Sequence, residues 1–356
     1  MLNQTQIKTE TDKCLGCKNA SCERNCPLHL SAKKFIQLYK DEKYFDLINY
    51  MYSVNPFAEI CGYICPNKFC MNNCNRKFID NSINIKSLQQ SFSNKYKYLI
   101  NYNKIQSNDK KIAIVGSGVA GLTAAWYLAN KGYLVDVYEK TNKIGGELNL
   151  IPEFRLPKSV LESDLSLIKN NPNIHFYLNK EIEDFDILSH YNGIITAIGK
   201  QNNRLLNIAG EEYIISYNDY LTKQPKTNKI AIIGGGNVAL DCALLAKSLG
   251  SEVFMFVRRN LYDMRIEHND ILNLIDKKVN IITNFTPIRI TKNLTIEGQY
   301  SSTNINFAGF DLVVRAIGSY QKEVNNELVL KLPISNTVVE TIANTLTALK
   351  EFNLWL

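Results

Sequence analysis

The sequence predicts an α/β protein with two Rossmann-like units of parallel sheet, preceded by an α-helical, cysteine-rich segment. Three observations predict it. A short apolar run leads into Gly116, Gly118 and Gly121 at G-x-G-x-x-G spacing. The same device returns at Gly234, Gly235 and Gly236. Eight of the nine cysteines lie between Cys14 and Cys74.

In the first unit, Ile112 to Val115 is a continuous apolar run, the pattern of a buried parallel strand. The glycines then open an Ala/Leu-rich helix through Val119 and Ala120. The first glycine permits the tight turn, the second lets backbone approach a pyrophosphate, and the third lets helix pack on strand. Phosphates would sit at that helix N-terminus, where free N–H groups and the dipole favour anions. A second strand, Leu134 to Tyr138, ends in Glu139, whose carboxylate is placed to accept hydrogen bonds from a ribose. Lys140 follows it. Gly145-Gly146 starts a loop in which backbone can come close to a ligand, although an ordinary turn is the plainer alternative. Ile194 to Gly199 reads as a buried strand ending in a glycine turn.

The second unit runs from Ile230 through the three glycines, Asn237, Val238, Ala239 and Asp241 into a helix reaching Leu249. Ala239 takes the place of the third glycine at the helix–strand contact. The next strand, Glu252 to Val257, ends in Arg258-Arg259 where the first unit has Glu139. An arginine there accommodates a 2′-phosphate, which favours NADPH over NADH; two solvated arginines are the alternative. Asp311 to Gly318 repeats the strand-and-glycine ending. Cys242 reads as a small core residue, and Thr337 to Phe352 as a helix.

Residues 1 to about 107 carry two cysteine groups. Cys14, Cys17, Cys22 and Cys26 are spaced C-x2-C-x4-C-x3-C and are followed by Pro27; Cys61, Cys65, Cys70 and Cys74 are spaced C-x3-C-x4-C-x3-C. Ala32 to Tyr52 between them predicts two short helices, and Ser91 to Asp109 a helix running into a linker. Structural zinc wants two close C-x2-C pairs, and only Cys14 and Cys17 provide one. Eight cysteines are too many for plain core residues. Paired 4Fe-4S clusters remain, and in two-cluster ferredoxins the cysteine before proline ligates the other cluster. Cys26-Pro27 fits that crossing, so one cluster would take Cys14, Cys17, Cys22 and a late cysteine.

With 356 residues at 45% hydrophobic there is core enough for two or three domains. The net charge of +7 builds no basic block, which argues against a nucleic-acid partner. The start is polar, and no apolar run reaches the roughly 18 residues that span a bilayer. A soluble, cytoplasmic protein with no membrane partner is expected.

Two nucleotide units, the second inserted in the first, resemble the two-dinucleotide-binding-domain flavoproteins, in which the first unit holds FAD and the second NAD(P)H. With the cysteine block in front, the chain resembles the electron-input module shared by the glutamate synthase small subunit and dihydropyrimidine dehydrogenase. The resemblance rests on CLGCKNASCERNCP (14–27), NPFAEICGYICPNKFC (55–70), INIKSLQQ (83–90) and EFRLPKSVL (153–161). It implies an iron–sulfur domain over 1–107, an FAD domain over 108–200 and 318–356, and an NAD(P)H domain over 201–317. It also implies one cluster on Cys14, Cys17, Cys22 and Cys74, and another on Cys26, Cys65, Cys70 and Gln89. Cys61 is then left over, although spacing alone would choose it. One departure stands out. The family follows its last A-I-G with a strand and a G-D stretch whose Asp binds the FAD ribityl chain. Here Gly318 is followed after eighteen residues by Thr337-Val338-Val339-Glu340, with no G-D between.

By this resemblance NADPH would pass a hydride to FAD, and single electrons would leave through two 4Fe-4S clusters to a catalytic partner subunit in a hetero-oligomer. No side chain need act as acid or base, and His29, His175, His190 and His268 show no triad or metal spacing. Two other readings stay open: a flavin-poor iron–sulfur carrier or scaffold, and a stand-alone diaphorase reducing a small acceptor.

Overall fold

Short runs of Ile, Val and Ala, fully buried, build both parallel sheets. Ile112, Ala113 and Ile114 in one, and Ile230, Ala231 and Ile232 in the other, have no exposed surface. Such runs suit strands covered on both faces. The computed structural model describes residues 1–102, 105–200, 202–320, 329–333 and 335–352. It divides into two units, one of Met1–Asn149, Glu153–Gly199 and Glu323–Leu356, the other of Leu150–Pro152 and Lys200–Lys322.

The first unit begins with helices α1 (Gln4–Asp12), α2 (Ser21–Arg24), α3 (Ala32–Lys40), α4 (Tyr44–Val54), α5 (Ala58–Ile64) and α6 (Ile85–Tyr96). Polar caps set several starts: Asn3 forms a capping box with Gln6, Ser31 accepts from Lys34 N, and Asn84 accepts from Ser87 N. Apolar residues at helical spacing then face inward. Phe92 of α6 stacks on Tyr39 at 4.6 Å and meets Phe35 edge-on at 6.0 Å, while Tyr44 stacks on Tyr96 at 4.3 Å.

Behind this segment lie β1 (Lys111–Val115), α7 (Val119–Ala129), β2 (Leu134–Tyr138), α8 (Lys158–Lys169), β3 (Ile174–Tyr177) and β4 (Gly193–Thr196). The C-terminal β15 (Val329–Lys331) and α12 (Val338–Phe352) return to them. The sheet is parallel, in the order β15-β4-β1-β2-β3, and α12 packs on α7. The interval after Gly318 thus includes a strand, followed by Leu332-Pro333; residues 321–328 and Ile334 of that interval lie outside the described residues.

A buried charged cluster joins the helical segment to this sheet. Asp164 of α8 accepts from Tyr52 Oη at 2.8 Å and Ile60 N at 2.9 Å. Lys97 pairs with Glu59 and lies 3.7 Å from Asp164, and these three side chains are 13%, 1% and 0% exposed. Trp126 Nε1 of α7 donates to Tyr52 O at 2.8 Å. Burial pushes the Asp164 carboxyl up to about 6, and Lys97 opposes that shift.

In the second unit, β6 (Ile215–Ser216), α9 (Tyr217–Lys223), β7 (Lys229–Ile233), α10 (Asn237–Ser248), β8 (Glu252–Phe256), α11 (His268–Asp276), β9 (Asn280–Ile282) and β13 (Leu312–Arg315) form a parallel sheet and its helices. The strand order is β6-β13-β7-β8-β9. Cys242 is wholly buried in its core. Strand β8 stops at Phe256, one residue short of the expected Val257. An antiparallel meander of β10 (Phe285–Ile290), β11 (Ile296–Tyr300) and β12 (Thr303–Phe307) packs Phe285 and Ile296 against Ala231 and Val313. A bulge between Pro287 and Arg289 breaks its alternation, which hides the hairpins in the sequence. The short β5 (Asn202–Asn203) pairs with β14 (Ser319–Tyr320). Among the described residues no helix is long and apolar enough to cross a membrane.

Removing one partner of a buried ion pair strands the other charge. Lys97→Met is therefore expected to cost about 3–5 kcal/mol in urea denaturation, whereas Lys8→Met, at an exposed pair, should leave the midpoint unchanged.

Candidate functional site

Both glycine loops use one backbone device. Gly116 follows β1 at φ +104°, and a Cβ there would run into the carbonyl of Ala197, which follows β4. Gly234 follows β7 at φ +148°, and its Cβ would run into the carbonyl of Ala316, which follows β13. Each central strand can turn only because its first loop residue has no side chain. Gly121 lies against the Gly116 carbonyl, and Ala239 fills the equivalent contact beside Gly234. Gly199 and Gly318, which end the A-I-G segments, take positive φ in open space.

The N-caps of α7 and α10 are Gly118 and Gly236, which have no side chain to offer the first amides. The N–H groups of Val119, Ala120, Asn237 and Val238 are therefore placed to meet an anion. Gly145 N donates to Ser117 O at 2.8 Å, and Gly146 lies so close to Gly118 that a Cβ would come within 3.0 Å of its Cα. The double glycine is thus part of the first loop.

Glu139, directly after β2, is almost fully buried. One carboxylate oxygen accepts from Ser117 N at 3.0 Å and Ser117 Oγ at 2.6 Å; the other accepts from Thr141 N and Thr141 Oγ1, both at 2.9 Å. Burial alone would raise its pKa, but these bonds outweigh burial and hold it below the usual carboxylate range. The acid is ionised at neutral pH beside the glycine loop. Lys140 is exposed, 4.0 Å from Glu181. In the second unit Arg258 and Arg259 are exposed just beyond β8, and Asp241 is buried on α10. A third arginine, which no motif in the sequence marks, joins them. Arg265 N donates to Gly235 O at 3.0 Å, a bridge that seats its backbone on the second glycine loop with its side chain exposed.

The cysteines gather around two cavities. One is lined by Cys14, Cys17, Cys22 and Cys74, with Leu15, Lys33 and Arg76. The other is lined by Cys26, Cys61, Cys65, Cys70 and Gln89, with Asn55 and Lys86. Gly16 at φ +61° turns the chain between Cys14 and Cys17, and a 3-10 turn at Met71–Asn73 separates Cys70 from Cys74. Helices α5 and α6 meet where Gly62 faces the backbone of Gln90, which brings Gln89 alongside Cys61. The Gln89 amide donates to Ala58 O at 2.6 Å. Burial pushes the Cys22 thiol up to about 11, with help from neighbouring Cys74, Cys14 and Cys17. Burial likewise raises Cys61 and Cys70 to about 12. Among the described residues no three His, Cys, Asp or Glu side chains group tightly enough for a single metal ion; the sulfurs stand around cavities instead.

Glycine-looped parallel sheets behind a doubly cysteine-lined helical segment define an α/β oxidoreductase of the nucleotide-binding, iron–sulfur class. Residues 110–341 match the pyridine nucleotide-disulphide oxidoreductase family, and the chain belongs to it. Residues 1–98 match dihydropyrimidine dehydrogenase domain II, 4Fe-4S cluster. The chain is 28% identical over 331 residues to the NAD-dependent dihydropyrimidine dehydrogenase subunit PreT of Escherichia coli (strain K12), covering 88% of this chain and 80% of that one. It is 24% identical to the small chain of glutamate synthase (NADPH) of Escherichia coli (strain K12), covering 82% and 68%. Thioredoxin reductase of Lactococcus lactis shares the fold at TM-score 0.54 and 18% identity, covering 69% of this chain and 99% of that one. Several longer solved chains are covered over only 42–48% of their length. The protein is an NAD(P)H-driven oxidoreductase of the flavin and iron–sulfur electron-transfer type.

Gly116→Ala places a Cβ against Ala197 O at a φ that alanine disfavours. It is expected to cost about 1–3 kcal/mol and to lower the flavin content, read by denaturation and by absorbance of the purified protein.

Proposed function

We propose that the chain is the electron-input subunit of a larger enzyme. It takes electrons from NADPH, holds FAD and two 4Fe-4S clusters, and delivers electrons one at a time to a catalytic partner polypeptide. The observation that carries this reading is that both cysteine cavities and the first glycine loop belong to one compact unit.

On this reading residues 1–107 are the iron–sulfur domain, 108–200 with 318–356 the FAD domain, and 201–317 the NAD(P)H domain. The residues present fit the groups. The cradle at Gly116, Gly118 and Gly121 excludes side chains where a pyrophosphate would lie, and the buried, ionised Glu139 suits a ribose. Gly145 and Gly146 close that loop. Gly234, Gly235, Gly236 and Asn237 to Ala239 form the NADPH cradle, with Arg258, Arg259 and Arg265 for the 2′-phosphate. Sulfur donors around a cavity suit iron–sulfur clusters. Cys14, Cys17, Cys22 and Cys74 would hold one; Cys26, Cys65, Cys70 and Gln89 would hold the other. When bound, flavin supplies the exchange between two-electron hydride chemistry and one-electron carriers. The chain's own part is to orient the groups and keep them at fixed separation. Without a G-D stretch, flavin would be held chiefly from its pyrophosphate end. The reducible substrate belongs to the partner, as the subunit names of the two relatives support.

Flavin, iron and sulfide content of anaerobically purified protein tests the reading, with visible spectra before and after NADPH. About one FAD and eight irons, bleached by NADPH, are expected. Iron without flavin would overturn the flavin step and leave an iron–sulfur carrier or scaffold. Rapid NADPH-driven dye reduction with no protein partner co-purifying would favour a diaphorase.

The double variant Arg258→Ala/Arg259→Ala should raise KM for NADPH by about tenfold or more, the size of one or two lost charge-assisted hydrogen bonds, and leave NADH unchanged. In the second cavity, Gln89→Ala should alter the electron paramagnetic resonance signal of one cluster, whereas Cys61→Ala should not. The reverse pattern would transfer the ligand to Cys61.

A further inference from the structure

Helix α5 carries Cys61 and Cys65, yet Phe57 at its N-cap offers no side-chain bond to the first amides. The third amide is satisfied from far away in the sequence. Ile60 N–H, one residue before Cys61, donates to Asp164 of α8 at 2.9 Å. A carboxylate at a helix N-terminus supplies both the missing acceptor and a charge that suits the dipole.

Asp164 is also tied toward the first glycine loop. Its other oxygen accepts from Tyr52 Oη, and the carbonyl of Tyr52 accepts from Trp126 of α7, the helix that opens at Gly118. A continuous set of bonds therefore links the helix of the first loop to the helix of the second cavity. The cluster also carries charge. Lys97 is one cation between two carboxylates, Glu59 and Asp164, which leaves the ionised trio with a net negative charge in the interior. The cluster stands next to the cavity: Asp164 bonds the amide of Ile60, one residue before Cys61, which lines it. A buried ion pair is weak evidence for stability by itself, since apolar replacements often do as well.

We propose that Asp164 is a positioning residue for the second cysteine cavity, capping α5 from α8 and holding a fixed negative charge beside the redox centre. This rests on reading that cavity as an iron–sulfur site. A negative charge nearby disfavours an added electron, so it lowers the potential of this centre relative to the one at Cys14.

The test uses anaerobically purified holoprotein in a redox titration followed by electron paramagnetic resonance, with hydrogen exchange of the Ile60 amide. The wild type is measured first: four irons instead of eight would sink the two-cluster reading before any variant is made. Given eight, Asp164→Asn should speed Ile60 exchange and shift one centre toward its reduced form. The expected change is about tenfold in its oxidised-to-reduced ratio at fixed potential, about 59 mV for a one-electron couple. The other centre should not move. Asp164→Glu, which keeps the charge, should keep the wild-type potential. If Asp164→Asn does not fold, Lys97→Gln reads the same field with opposite sign. Faster Ile60 exchange or a lower melting temperature with both potentials unchanged would overturn the proposal and reduce Asp164 to a structural cap.

Discussion

One buried carboxylate ties the helical segment of the first unit to its sheet domain. Asp164 has no exposed surface, so each of its oxygens must find a donor inside the protein, and the donors come from the cysteine-bearing segment. The helical segment in turn contributes the buried pair Glu59 and Lys97, and Lys97 lies 3.7 Å from Asp164. Trp126 and Tyr52 extend the tie to α7. Directional bonds fix α4 against α7 and α8, and α5 against α8, more narrowly than apolar packing alone could, because a packed core accepts volume-conserving slippage and a buried hydrogen bond does not. Carriers held on such helices would keep their separation, which is what one-electron transfer asks of a protein.

The two sheets apply the same device to different ends. Gly116 against Ala197 and Gly234 against Ala316 are the same close approach of a loop to the neighbouring strand's continuation. The residues at the end of the second strand distinguish the two units. In one there is a buried, hydrogen-bonded acid, Glu139; in the other, exposed Arg258 and Arg259 with Arg265 beside the glycines. A carboxylate suits a free ribose and guanidinium groups suit a phosphate, so a repeated scaffold presents different chemistry at its two glycine loops.

Much of this was legible in the amino-acid order. Strand, glycine turn, helix and closing residue form one local stretch in each unit, and their physical requirements act over a few residues. Cysteine spacing within each group is equally local. Arg265 could have been noticed only by its nearness to Arg258, and nothing in the sequence ties it to Gly235. The meander at Phe285 to Phe307 lacks a clean alternation because a bulge interrupts it. The choice between Cys61 and Gln89 turns on how α5 meets α6, and both residues reach the same cavity.

Amino-acid order alone was enough for the two glycine loops, their closing acid and arginines, and the two cysteine groups, since each depends on backbone freedom or side-chain chemistry within a short segment. It took the folded chain to show which cysteines share a cavity and that Asp164, 104 residues from Ile60, caps the helix carrying two of them. Hydrogen bonds and burial between distant segments leave no periodicity in the chain, so a lone aspartate on an amphipathic helix reads as surface until its partners are in place.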